Sequence, residues 1–174
     1  MIDFTSINYL KNGTKRQIEA FETLTHHRIL DILEVYDPIL VGTIPIDIAI
    51  ENSDLDIICY FKNEADFTVK LISTFGNEID FTWRKVLIDQ HESVVATFKK
   101  GNFEIEIFGQ NIPTKDQNGY KHMLIEYEIL QFEGDNFRLK IINLKQKGYK
   151  TEPAFALLLD LKGDPYKALL EYKR

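Results

Sequence analysis

Asp54 and Asp56 stand one residue apart in the stretch SDLDII, closed in by Leu55, Ile57 and Ile58. In a strand, residues i and i+2 point to the same face, so this spacing projects two carboxylates together. Two ionised carboxylates so placed repel strongly unless one is protonated or a cation lies between them. A divalent ion resolves the conflict, because Mg²⁺ takes oxygen ligands and is commonly bound by one or two carboxylates plus substrate phosphates. A second stretch, Phe103-Glu104-Ile105-Glu106-Ile107, offers the same device, with Glu104 and Glu106 on one face and apolar residues on the other. Alternating acids alone are the pattern of a half-exposed edge strand. The apolar run that follows Asp54-Asp56 instead continues on both faces and reads as the entrance of an interior strand.

These acids need a scaffold, and the periodicity supplies one. Ile18, Phe21, Leu24, Ile29, Ile32 and Leu33 recur at near-helical spacing, which predicts a helix over 14–36, started by Asn12-Gly13-Thr14 and stopped by Pro38. Ile39 to Thr43 and Leu55 to Phe61 read as strands, with a helix from Glu64 to Phe75 closed by Gly76. Residues 81–88, 93–100 and 102–109 are β-branched or aromatic and partly alternating, with a tight hairpin at Lys100-Gly101-Asn102. From Asp116 the pattern is helical again, over 116–132 and 135–147, then in two short pieces at Pro153 and after Asp164-Pro165. The expected fold class is α+β, or α/β-like, around one central sheet. A single domain spans 1–174, with a core over about 14–110 and a helical tail over about 115–174.

The formal charge of −6 argues against a general nucleic-acid binder, DNA included, which would show a basic stripe. It does not exclude a nucleotide, since metal ions can supply the local positive charge. Cys59 is the only cysteine, so it forms no internal disulfide, and its apolar setting is that of an inert buried thiol. No apolar stretch approaches the roughly 20 residues needed to span a bilayer. The start, MIDFTSINYLKNG, has no signal-peptide pattern, and the expected location is cytoplasmic. No Ser-His-Asp order, metal-binding cysteine set or Walker-type loop is visible. His26 and His27 diverge on a helix and read as solvated, and His122 reads as a packing or hydrogen-bonding residue. Lys99, Lys100, Lys115 and Lys121 could meet phosphate but are scattered. Gln110-Asn111 suits either a turn or the edge of a base or sugar, and Glu152-Pro153 reads as a helix start.

Gly42-Thr43, a spacer, and then Ser53-Asp54-Leu55-Asp56-Ile57 resembles the signature of the DNA polymerase β-like nucleotidyltransferase superfamily, in which a third acid follows on a later strand. LVGTIPIDI, SDLDIICY, FEIEIFGQNIP, YKHM, TEPAFA and GDPY together resemble the DUF4269 family, which is assigned to that superfamily. The resemblance implies a central mixed sheet with flanking helices. It also implies Mg²⁺ or Mn²⁺ held by Asp54 and Asp56 against a nucleoside triphosphate, with Glu106 or Glu104 as ligand of a second metal or as base. Gly42 would let the backbone approach the phosphates, with the Thr43 hydroxyl and amide as donors, and Ser53, Gln110 and Asn111 are further candidates for nucleotide binding. The product would be a nucleoside monophosphate transferred to a small-molecule, protein or RNA acceptor; the alternative is an inactive member of the fold that binds or regulates. An antiparallel neighbour would bring Glu106 to the Asp pair and a parallel one Glu104, and Glu106 is the expected partner. One departure stands out: IPIDIAIENS looks extended or looped where the superfamily has a helix starting at the Gly-Ser position.

Overall fold

The computed structural model describes residues 2–173. Helix α1 (Lys15–His26) opens where the Thr14 N–H donates to Gln17 Oε1 at 3.0 Å, the side chain of the third helical residue reaching back to the cap. The helix expected to run to residue 36 ends ten residues sooner. Arg28 adopts a left-handed φ of 53°, and the short α2 (Ile29–Ile32) and a 3₁₀ turn (Glu34–Tyr36) follow. The break redirects the chain so that Leu24, Ile29 and Leu33 all reach one core. Then come β1 (Ile39–Val41), β2 (Leu55–Tyr60), α3 (Glu64–Phe75), β3 (Ile79–Ile88), β4 (His91–Lys100) and β5 (Phe103–Gln110). Asn63 caps α3, its Oδ1 accepting from the Ala65 and Asp66 amides.

The strands form one mixed sheet in the order β1-β2-β5-β4-β3, with β2 and β5 parallel and the other pairs antiparallel. The expected hairpin joins β4 to β5, with Gly101 at φ 58° in its turn. The tail is helical: α4 (Asn118–Glu133), α5 (Asp135–Gln146), α6 (Thr151–Leu158) and α7 (Pro165–Leu170), the last capped by Asp164. Strand alternation divides the core in two. Leu40, Leu55, Ile57, Cys59, Ala96, Ile105 and Ile107 face α1, α2 and α3. Ile39, Val41 and Ile58 face the helical tail. The fold is α+β, a five-stranded sheet with helices on both faces, and Asp56 points to the tail side because it is two residues from Ile58.

Candidate functional site

Asp56 and Glu106 are directly opposed across the parallel pair β2–β5, and Val41 and Thr97 continue the same row on β1 and β4. Opposed residues share a face, so both carboxylates project to the tail side. Asp54 precedes β2 by one residue, and all three acids border a cleft of about 560 Å³ between the sheet and the tail helices. Strand direction and offset combine differently here from the sequence expectation. The pair is parallel, yet Glu106 meets Asp56, because β5 begins two residues ahead of β2 in register, with Leu55 opposite Ile105. Glu104 is exposed, registers with Lys99 and does not border the cleft.

Gly42 ends the β1 run and is the residue that lets Asp56 sit where it does. Its φ is +81°, and a Cβ there would lie 2.3 Å from Asp56 Oδ2. The segment after it is a loop, as its alternation suggests, with no helix starting at Gly42-Thr43. Ile44, Ile46 and Ile48 are buried, which accounts for the apolar half of the alternation. The loop backbone is held from outside. Gln17 Nε2 donates to Ile44 O at 2.9 Å, and Arg138 Nη1 donates to Ile46 O at 2.6 Å and Asp47 O at 3.1 Å. Arg16 lies 3.7 Å above the Phe103 ring and donates from Nη2 to Glu51 O and Ser53 O, at 3.2 and 3.1 Å. Ser53 Oγ accepts the Ile50 amide at 2.9 Å and lies 3.3 Å from Thr43 Oγ1. Asp54 is therefore presented by a pinned loop end.

The electrostatics are those of carboxyl groups crowded together in a partly buried cleft. Burial first, then the negative charges of Asp54 and Glu106, push the Asp56 carboxyl up to about 8. Burial, then Asp54, raise Glu106 as well. Neither shift is offset by a hydrogen bond from the described residues. Among the described residues no group of three or more His, Cys, Asp or Glu already stands in metal-ligating geometry. Hard divalent ions take oxygen ligands, and Asp54, Asp56 and Glu106, the last two adjacent across β2–β5, are oxygen-donor side chains of this cleft that could supply them.

The other candidates divide. Thr43 and Ser53 border the cleft beside Gly42. Gln110 is 6% exposed, donates from Nε2 to Ser93 Oγ at 2.8 Å, and lies four residues beyond Glu106 on β5, outside the cleft. Asn111 follows it, exposed and also outside. Lys99 and Lys100 are paired with Asp80 and Glu78 at 2.6 and 2.7 Å. The tail supplies residues that local sequence did not single out as a site: Glu126, Lys145, Lys150 and Glu152 all border the cleft. His122 joins them, its Nε2 2.9 Å from Tyr166 O and its Nδ1 3.7 Å from Glu152 Oε1. Burial drives Glu126 well above the usual carboxylate range and brings the Lys145 ammonium down to about 8. Their helical positions alone do not distinguish them from solvated residues, so no local signal in the sequence marks them.

The chain belongs to the family described as "Domain of unknown function (DUF4269)", whose model matches residues 22–172. No curated protein matches it. Its fold is similar to that of the RNA terminal uridylyl transferase Cid1, with a TM-score of 0.55 at 13% identity over 76% of this chain and 41% of that one. GLD-2 in the GLD-2/RNP-8 complex matches with a TM-score of 0.55 at 12% identity, over 88% and 61%. The polymerase core of TRAMP, an RNA surveillance complex, matches at 0.54 and 14%, over 94% and 50%. The chain thus spans 41% to 61% of the length of these three structures. No helix among the described residues is long and apolar enough to cross a membrane.

Proposed function

We propose that this DUF4269 protein is a metal-dependent nucleotidyltransferase that moves a nucleoside monophosphate from a nucleoside triphosphate to an acceptor nucleophile. The observation that carries this is the side-by-side placement of Asp56 and Glu106 on parallel strands, with Asp54 at the same cleft. Asp54, Asp56 and Glu106 would hold Mg²⁺ or Mn²⁺, which when bound supplies charge neutralisation and Lewis acidity at the α-phosphate. Gly42 would let the backbone approach the phosphates, and the Thr43 hydroxyl, which donates to Ser53 Oγ at 3.3 Å, would turn to donate to them. The acceptor oxygen would bond to the α-phosphorus as the bond to the β-bridging oxygen breaks, pyrophosphate leaving and the acceptor proton passing to a cleft carboxylate. The neighbouring folds support the reading, since Cid1 is described by its RNA terminal uridylyl transferase activity and in complex with a UTP analogue. A panel of nucleoside triphosphates with Mg²⁺ or Mn²⁺, followed by thermal shift and by pyrophosphate release in the presence of a small-molecule extract or RNA, tests it. Stabilisation and release that both vanish in Asp56→Asn are expected; absence of either metal-dependent signal with every triphosphate would overturn it.

A second reading has its own observation. A loop replaces the helix that would begin at Gly42-Thr43, and a helix N-terminus is the usual source of free N–H groups for phosphate. The chain would then be a binding or regulatory member of the fold. Metal-dependent triphosphate binding without pyrophosphate release from any acceptor mixture distinguishes it.

A further inference from the structure

The tail wall of the cleft contains a group that the proposed transfer leaves unexplained. Glu126, on α4, is 3% exposed and borders the cleft, and its Oε1 has no hydrogen-bond partner. Lys145, on α5, is 8% exposed and borders the same cleft, yet it does not satisfy that oxygen. A buried carboxylate oxygen without a donor is costly, and such a group is retained where something else brings the donor. The cleft is the open side from which a donor can come.

Charge says what kind of donor. Five carboxyl groups border the cleft against two lysines, Lys145 and Lys150, and where burial disfavours ionisation, as at Asp56 and Glu126, a cation beside the carboxyl favours the charged form. Two divalent ions and a triphosphate largely cancel one another, so a loaded cleft keeps an excess of negative charge. At about 560 Å³ the space is of the size that takes small molecules. We propose that the wall around Glu126 is the acceptor's subsite and that it takes a small molecule with an ammonium group beside the reacting hydroxyl, an amino alcohol or amino sugar. The ammonium N–H would donate to the Glu126 carboxyl where it lines the cleft, and the Lys145 ammonium, whose charge already acts on that carboxyl, would compete with it. The role of that molecule as acceptor rests on the transfer reading above; its binding does not.

The test is a ligand-observed NMR titration in Mg²⁺ with ethanolamine, serinol and glucosamine, each against its neutral counterpart ethylene glycol, glycerol or glucose. A non-hydrolysable triphosphate analogue is titrated separately. At least one amine should bind the wild type about tenfold or more tightly than its neutral counterpart. Glu126→Gln should abolish that preference, Asp56→Asn should keep it, and Lys145→Met should tighten the amine by removing its competitor. The opposite signs for Glu126→Gln and Lys145→Met separate a recognition role from loosening of the wall, which would weaken binding in both. No amine preference in the wild type, weakening in both wall variants, or a preference lost in Asp56→Asn and kept in Glu126→Gln would each overturn the subsite. Failure of the triphosphate analogue to bind, with amine preference intact, would sink the transfer reading and leave the subsite standing.

Discussion

Asp56→Asn should stabilise the metal-free protein, and by an amount that depends on pH. The Asp56 carboxyl is pushed from an ordinary value of 3.8 up to about 8, mainly by burial and by Asp54 and Glu106. Its folded value lies above its unfolded one, so between those two pH values the native state holds more protons. The stability linked to this group is therefore present in full below the unfolded value and is lost as pH rises toward the folded one. At about 1.36 kcal/mol per pH unit, a shift of about 4 units sets a ceiling of about 6 kcal/mol. Asp56 keeps part of its surface open to the cleft, and Glu106 shares the proton load, so a gain of about 2–4 kcal/mol is expected at high pH. Glu126 and Lys145 are present in both proteins and largely cancel in the difference. Urea unfolding in EDTA, from about pH 4 to about pH 9, should show the two stabilities converging in acid and the variant ahead in base. Mg²⁺ should close most or all of this gap at high pH, adding about 2.7 kcal/mol to the wild type at a hundredfold excess over Kd and nothing to the variant. A variant no more stable than wild type in alkaline EDTA, or equal gains from Mg²⁺, would refute the idea of a strained, cation-seeking pair.

Three further outcomes follow from the same geometry. Glu106→Gln should weaken Mn²⁺ binding about tenfold or more, while Glu104→Gln, exposed and outside the cleft, should change it less than about threefold by electron paramagnetic resonance titration. Gly42→Ala should cost about 1–3 kcal/mol in urea unfolding and also weaken Mn²⁺ binding, since it strains a left-handed backbone and drives a Cβ into Asp56. Arg16→Met should lower amide-exchange protection in 50–53 while leaving the centre of β2 protected, because it removes the donors to Glu51 O and Ser53 O; unchanged exchange there would mean the loop holds itself.

Much of this architecture is legible in the sequence, and the losses have identifiable causes. The strands and their hairpin announce themselves through β-branched runs and Gly101, which are local signals. The α1 break at Arg28 does not, because apolar spacing continues through it and the direction change is set by packing Leu24, Ile29 and Leu33 together. That Asp54 and Asp56 come to one cleft is readable from their i, i+2 spacing. Glu106 against Glu104 was not, since both direction and offset of β5 relative to β2 are tertiary facts, and the parallel pairing reaches Glu106 by a two-residue offset. Gln110 fits a base edge as well as a turn on sequence, but its amide is committed to Ser93. Glu126, Lys145 and Glu152 come to the cleft from three different helices, so no local pattern marks them as neighbours.

The most direct test of the central claim is the position of Mn²⁺ in crystals grown with a non-hydrolysable nucleoside triphosphate, read from the anomalous signal. The structure's cleft predicts Mn²⁺ bound by Asp54, Asp56 and Glu106, with the α-phosphate on the tail side of the sheet and Gly42-Thr43 beside the outer phosphates. Mn²⁺ bound elsewhere, or a triphosphate ordered without touching any of the three carboxylates, would contradict it.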